Sequence, residues 1–404
     1  MTAHSPTSRP RHVRDHNHRS PVMRILLTTC ASLAVFALVF CTTVYADLAG
    51  RASNSAVTID KFVKTTRPPV DDYSGRPVTI AVIGTDSREG DNSVFGDGES
   101  DMGMRSDTTL VVHISADRTR MEVVSIPRDT MVTLPSCELP DGSSTYESFG
   151  QFNFAFSYGA GWELNLGSAV ACTVQTIERL SDLTIDEFVV IDMAGFESII
   201  TALGGVSMCF DEPVYDELAG IDLPAGCTKL GSWNALAYAR ARYSLGDGSD
   251  ISRIGRQQQL MMAIINEARG KNLFTDFPAL YEFAKATLAA VKTSPSLSKL
   301  PTAAGLAYSM SGISNANITF ATLPITAWSE DPNRAIPLDS ADDLWAALRD
   351  DQPIPRGIAA KDATGTEGVA DGHGHVVAET SDTISSDETV GTDDSGNDGD
   401  ETSE

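Results

Sequence analysis

Guanidinium and carboxylate groups recur side by side in the middle of this 404-residue chain. Between Arg76 and Arg256 stand eleven Arg and a single Lys, Lys229. Arg presents a planar fork of donors that grips phosphate oxygens at several points, whereas Lys is a point charge. Seven of those Arg fall in four clusters. The first is Gly84-Thr85-Asp86-Ser87-Arg88, and the second is Arg105-Ser106-Asp107-Thr108. The third is Ser125-Ile126-Pro127-Arg128-Asp129. The fourth is Tyr238-Ala239-Arg240-Ala241-Arg242, followed by Asp250, Arg253, Arg256 and Gln257. Arg253, Arg256 and Gln257 are spaced i, i+3, i+4, which predicts one helix face. An Arg beside an Asp is, alone, more often a surface ion pair than a site. Four such fragments, three of them flanking apolar strands, point to a pocket for a multiply charged phosphate. Neighbouring carboxylates would screen the guanidinium repulsion until the anion arrives. Asp86 and Asp107 suit Mg²⁺, which takes oxygen ligands and bridges phosphate oxygens. Neither GxxxxGK[ST] nor GxGxxG occurs, which excludes a nucleotide P-loop and a dinucleotide fold.

Composition excludes more. Six of the seven His lie near the ends, at His4, His12, His16, His18, His373 and His375. Only His113 is central, and its place within a strand predicts a packed core residue. A Ser-His-Asp hydrolase or a multi-histidine metal enzyme is therefore not expected. The net charge of −25 argues against nucleic acid as a partner.

The clusters need elements to hold them. The unbroken apolar run Val78–Ile83 predicts a buried strand whose C-terminal end carries the first cluster, the edge at which α/β sheets bind ligands. Thr108–Ser115 and Met121–Ile126 predict a hairpin, with Pro127 ending its second strand beside Arg128. Helices are expected at Leu166–Leu180, Gly195–Leu203, Trp233–Ala241, Ser252–Arg269, Phe277–Val291 and Ala341–Leu348. Further strands are expected at Glu187–Asp192, Val206–Phe210 and Ile318–Leu323. The implied class is α/β, a layered α-β-α domain over 76–350 with a central mixed sheet flanked by helices.

The flanks read differently. Residues 1–24 form a polar tail with five Arg, and Ile25–Tyr45 has no charge. Such a run at about 1.5 Å per residue spans a bilayer core of about 30 Å, so one transmembrane helix is predicted over 25–46. The Arg residues before it place the N-terminus in the cytoplasm and the remainder outside the cell membrane. A cleaved signal peptide is the rival reading, since Val44-Tyr45-Ala46 resembles a cleavage site. Residues 47–75 read as an extracellular stalk. Residues 351–404 read as a disordered acidic tail, with thirteen Asp/Glu against one Lys from 361 onward. Four Cys outside the membrane, Cys137, Cys172, Cys209 and Cys227, lack metal-ligand spacing and predict disulfides. Three pairings are possible; shortest loops favour Cys137–Cys172 and Cys209–Cys227.

In this order, the clusters resemble the LytR-CpsA-Psr family of cell-wall enzymes. The matching segments are GTDSR (84–88), RSDT (105–108), SIPRD (125–129), NFAFSYGA (153–160), LGGV (203–206), YARAR (238–242) and DISRIGRQQ (250–258). The resemblance implies a phosphotransferase that moves a glycopolymer from a polyprenyl pyrophosphate carrier to peptidoglycan outside the membrane. It implies Asp86 and Asp107 as Mg²⁺ ligands. Arg88, Arg105, Arg128, Arg240, Arg242 and Gln257 would surround the pyrophosphate, with Arg253 and Arg256 contributing or bracing. Asp250 would lie near the attacking hydroxyl, with Arg128, Arg240 and Arg242 acting in catalysis. Ile254, Leu260, Met261, Ile264 and Ile265 could line a groove for the polyprenyl tail. Two alternatives remain: a polyprenyl-pyrophosphate phosphatase at the same site, and a non-catalytic envelope regulator or attenuator. The chain departs from the family in its acidic, Gly-rich stretch Glu89–Gly103. It also carries Gln151-Phe152 where the family often has a basic residue.

Overall fold

The run of Val, Ile and Ala after Pro77 becomes an inner strand of the main sheet in the computed structural model. That model describes residues 21–63, 73, 75–87, 92, 104–241, 250–271 and 276–378. The chain divides into two compact units at Gly50/Arg51. The first carries most of helix α1 (Pro21–Asn54), whose side chains are almost all exposed. In the second, β1 (Val78–Thr85) precedes the hairpin of β2 (Ser106–Ile114) and β3 (Met121–Ile126). A smaller hairpin, β4 (Met131–Leu134) with β5 (Ser148–Gln151), leads into α2 (Phe154–Ala160) and α3 (Leu166–Ser181). Next come β6 (Glu187–Ile191) and α4 (Met193–Ala202). A lobe follows, built from β7 (Val206–Phe210), β8 (Val214–Asp216), β9 (Ile221–Leu223), β10 (Gly226–Leu230) and α5 (Ser232–Arg240). Then come α6 (Asp250–Gly270), α7 (Phe277–Ala290), β11 (Val291–Thr293), α8 (Leu300–Met310) and β12 (Ile318–Thr322). The last elements are β13 (Ile325–Ala327), β14 (Ala335–Pro337), α9 (Asp339–Arg349), β15 (Ala359–Asp362), β16 (Glu367–Ala370) and β17 (Val376–Val377).

Among the described residues the main sheet has nine strands in the order β11-β6-β1-β2-β3-β12-β15-β16-β17. It is mixed: β1 pairs antiparallel with β2 and parallel with β6, and β3 pairs parallel with β12. Alternation along the strands feeds two cores. Ala81, Ile83, Val111 and Val124 face α2, α3 and α9. Val78, Ile80, Leu110 and Val123 face α6 and α8. This is the expected α-β-α layering. Helix α3 is buried along most of its length, and Asn165 caps it by accepting from the Ser168 N–H at 3.0 Å. Gly159 lets α2 cross α3, because a Cβ there would lie 2.5 Å from Cys172 Cβ.

Both favoured disulfides are present. Cys137–Cys172 is buried and ties the loop after β4 to α3. Cys209–Cys227 joins directly opposed, exposed residues of β7 and β10.

Two boundaries differ from expectation, and several short elements are additional. The supposed tail from 351 is partly ordered: β15 pairs with β12, and β16 and β17 extend the sheet. Composition argued against a core there, but an open sheet edge supplies backbone partners. Short side chains, Ala360, Ala363, Ala370 and Val376, suffice to fill the space. Asp362 is satisfied locally by the N–H groups of Thr364 and Thr366 and the Thr364 hydroxyl. The supposed stalk is also partly ordered. Helix α1 runs past residue 46 to Asn54, and Val57 N–H then bonds the Thr293 carbonyl while Ile59 joins the core. Short elements such as α2, β4, β5 and β13 went unforeseen because their patterns are too brief to show a period.

Candidate active site

The fold brings residues of all four clusters to one cavity of about 500 Å³. Asp86 follows β1, Asp107 lies in β2, Arg128 follows β3, and α5 and α6 deliver Arg240, Arg253 and Gln257. All but Gln257 come from near an element end, where side chains leave the packed layers.

A bulge decides the position of Asp107. Gly84 pairs with Thr108 and Thr85 with Ser106, so Asp107 is the extra residue in β2. A bulge re-aims the side chain it carries, here into the cavity. Gly84 allows the close approach here, since a Cβ would come within 3.1 Å of Thr108 Cβ and push that side chain aside.

Arg128 is the hub. Its Nη1 donates to Asp107 Oδ1 at 2.8 Å, and its Nε lies 3.4 Å from both Asp129 Oδ2 and Asp250 Oδ1. Arg253 Nη2 meets Asp250 Oδ1 at 2.5 Å and the Asp107 carbonyl at 3.2 Å. Burial works against the Arg128 charge, but Asp107, Asp129 and Asp250 outweigh it and hold the guanidinium above its ordinary value. Asp86 Oδ1 accepts the Arg105 N–H at 2.8 Å. The Arg105 guanidinium sits 5.7 Å from the Phe154 ring centre. Arg240 is exposed at the end of α5 and lines the cavity.

The rest of the cavity is apolar. Met193, Phe196, Leu236, Leu260, Met261 and Ile264 are among its lining residues. Of the five apolar α6 residues expected to line a groove, Leu260, Met261 and Ile264 do so. Ile254 is buried, and Ile265 packs against the sheet core instead.

Arg256 stands about 60° round the helix axis from Arg253, since three residues turn a helix by about 300°; of the two roles left open for it, contributing or bracing, its contacts fit bracing. Its guanidinium bonds the Ala241 carbonyl at 2.5 Å and the Ser252 hydroxyl at 3.2 Å, and it does not line the cavity. It braces the end of α5 that bears Arg240. Arg88, Arg242 and all of Glu89–Gly103 except Asn92 lie outside the described residues. Asn92 is buried, donates to Asp192 Oδ2 at 3.0 Å and accepts from the Ala194 N–H at 2.8 Å, at the start of α4.

Sequence reasoning assigned no role to Asp129, Asp192, Phe154 or Phe196. Asp129 is visible as the neighbour of Arg128 and Phe154 as part of NFAFSYGA; Asp192 and Phe196 give no local signal. His113 is a core residue as expected, with Thr79 Oγ1 at 3.1 Å and Asp351 Oδ1 at 3.2 Å from its ring nitrogens.

Mg²⁺ usually holds one or two carboxylates and completes its shell with water and phosphate oxygens. Asp86 and Asp107, in one cavity with four Arg, fit that donor chemistry. No group of three or more metal-ligating side chains occurs among the described residues.

Known proteins resemble the chain at several levels. It is 34% identical over 209 residues to a probable cell wall biosynthesis protein, LcpB, of Corynebacterium glutamicum, covering 49% of this chain and 45% of that protein. It is 24% identical over 267 residues to TagU of Bacillus licheniformis, named a polyisoprenyl-teichoic acid–peptidoglycan teichoic acid transferase, with 65% and 76% covered. The chain thus spans less than half the length of the corynebacterial relative. A solved structure of TagT bound to LI-WTA superposes with a TM-score of 0.52 at 19% identity, covering 73% of this chain and 98% of that one. A LytR-Csp2A-Psr enzyme from Actinomyces oris gives 0.51 at 22% identity, covering 70% and 97%. Those two likenesses concern the fold. A family model described as the LytR_cpsA_psr family matches residues 42–349, well over half of the sequence, and the chain belongs to that family.

Proposed function

We propose that this chain is a membrane-anchored extracellular phosphotransferase that moves a glycopolymer from a polyprenyl pyrophosphate carrier onto peptidoglycan. One observation carries the reading: one cavity is lined both by apolar side chains and by Arg105, Arg128, Arg240 and Arg253. A lipid-linked pyrophosphate has the same two parts. The names of the relatives, a teichoic acid transferase and a cell wall biosynthesis protein, support the substrate class. Helix α1, long and apolar enough to cross a membrane, supports the anchor, and the Arg residues before it support a cytoplasmic N-terminus.

The acceptor hydroxyl oxygen bonds to the phosphorus that bears the sugar, and the P–O bond to the bridging oxygen breaks. Polyprenyl phosphate leaves, and the hydroxyl proton passes to Asp250 and then to solvent. Such transfers are accelerated by positioning and by charge neutralisation. Arg128 and Arg253 meet the pyrophosphate oxygens, and Asp107 and Asp250 orient those guanidiniums. Mg²⁺, held by Asp86 and Asp107, would neutralise the leaving phosphate.

The test is polyprenyl phosphate release by the purified full chain in detergent with Mg²⁺, with and without peptidoglycan. Acceptor-dependent release, reduced about 10²–10³-fold by Asp107→Ala, is expected. Equal release without acceptor would turn the reading into a phosphatase. No release at all, or an unaffected Asp107→Ala, would remove it.

A further inference from the structure

We propose that Phe149 and Trp328 form a stacking platform for a sugar ring of the acceptor glycan; this rests on the transferase reading above. Phe149 lies on β5 and is 57% exposed. Trp328 opens the loop between β13 and β14, and its ring meets Phe149 edge to face with centroids 5.9 Å apart. A pyranose ring has an apolar C–H face and a polar rim, and an aromatic face matches the first. The second needs donors and acceptors, and the loop of Trp328 carries Ser329 and Glu330 beside a set in which Asp331 already accepts from Asn333 and Arg334. A few placed polar groups around an apolar contact are what fixes a ligand's orientation.

Both aromatics hang from the reactive centre. Phe149 and Gln151 share one face of β5, about 7 Å apart. Gln151 Nε2 donates to Asp129 Oδ1 at 2.6 Å, and Asp129 lies against Arg128. On the other side, Ala335 N–H of β14 bonds the Asp129 carbonyl, and Trp328 N–H bonds the Arg334 carbonyl at 2.9 Å. The platform is therefore tied from both hairpins to Asp129, the residue after Arg128.

Its direction selects the acceptor over the carrier. The apolar wall of the cavity comes from α6 and the lobe of α4 and α5. The β4–β5 hairpin packs through Val132 and Leu134 into the core on the opposite face of the sheet. In an in-line displacement the incoming hydroxyl stands opposite the leaving group. A carrier lipid on the α6 wall leaves the Phe149 side to the incoming sugar.

The test titrates the full chain in detergent with a soluble GlcNAc–MurNAc tetrasaccharide, followed by calorimetry and saturation-transfer NMR, with no donor present. Phe149→Leu and Trp328→Leu are expected to weaken binding at least fivefold, while Phe149→Tyr and Trp328→Phe stay within twofold of the parent. Leucine keeps the apolar contact between the hairpins but removes the aromatic face, so a purely structural pair would tolerate it. Trp162→Leu, at another exposed tryptophan, should leave tetrasaccharide affinity unchanged. Leucine variants that bind like the parent, or a parent that does not bind at millimolar sugar, overturn the proposal. A raised KM for the donor with unchanged tetrasaccharide affinity also overturns it. Donor-dependent polyprenyl phosphate release, measured separately, reports on the transferase reading alone.

Discussion

Arg128 sits among three carboxylates, and its geometry explains why Lys would not replace it. One guanidinium reaches Asp107 through Nη1 while Nε faces Asp129 and Asp250. A lysine ammonium is a single point and cannot hold both directions. Arg128→Lys should lower transfer about 10²-fold while the melting temperature stays within a few degrees, checked by product assay and calorimetry. A second residue-scale prediction concerns Glu122, which is 2% exposed and ion-paired to Arg120 at 2.9 Å. Burial pushes its carboxyl from 4.5 up to about 7, against the pull of Arg120. The folded state therefore binds this proton more tightly than the unfolded state does. The associated stability is complete below about pH 4.5 and is lost as pH rises through about 7. Glu122→Gln should leave stability near pH 4.5 unchanged and raise it by about 2–3 kcal/mol at pH 8, measured by urea unfolding. Parallel pH curves for parent and variant would contradict this.

At the scale of elements, the two disulfides should behave differently. Cys137–Cys172 closes 35 residues and is buried, whereas Cys209–Cys227 closes 18 and is exposed. Loop-closure entropy assigns them about 4 and about 3 kcal/mol. Mild dithiothreitol followed by alkylation and mass spectrometry should label Cys209 and Cys227 first. Simultaneous labelling of all four cysteines would contradict the assignment of exposure. The α3 helix that receives Cys172 also shows what a short pattern conveys. Its period and its capping Asn165 are local, and the helix was foreseen. The hairpin β4–β5, four residues per strand, has no such local signal, yet it carries Gln151 to Asp129. Where the family often has a basic residue, Gln151 therefore reaches the site through Asp129.

For the whole molecule, the extension beyond residue 350 can be tested directly. A chain ended at 350 leaves the β12 edge unpaired and removes the burial of Ala360, Ala363, Ala370 and Val376. It should be about 3–5 kcal/mol less stable than one ended at 378, and more prone to self-association, by chemical unfolding and light scattering. Equal stability would show that β15–β17 add nothing to the sheet.

Local chemistry in the chain determined much of this protein. The apolar run of β1, the scarcity of His, the pairing of Arg with Asp and the apolar span of α1 are all properties of neighbours in sequence. They were enough to define an α/β domain and to mark the Arg and Asp residues that line its cavity. Tertiary structure decided what depends on partners far away in the chain. The bulge that aims Asp107 exists only where β1 meets β2. The turn of Arg256 toward Ala241 depends on where α5 ends. The ordering of 357–378 depends on a sheet edge that no composition reveals. Each of these is a through-space contact, and period, propensity and charge along a chain carry no record of it.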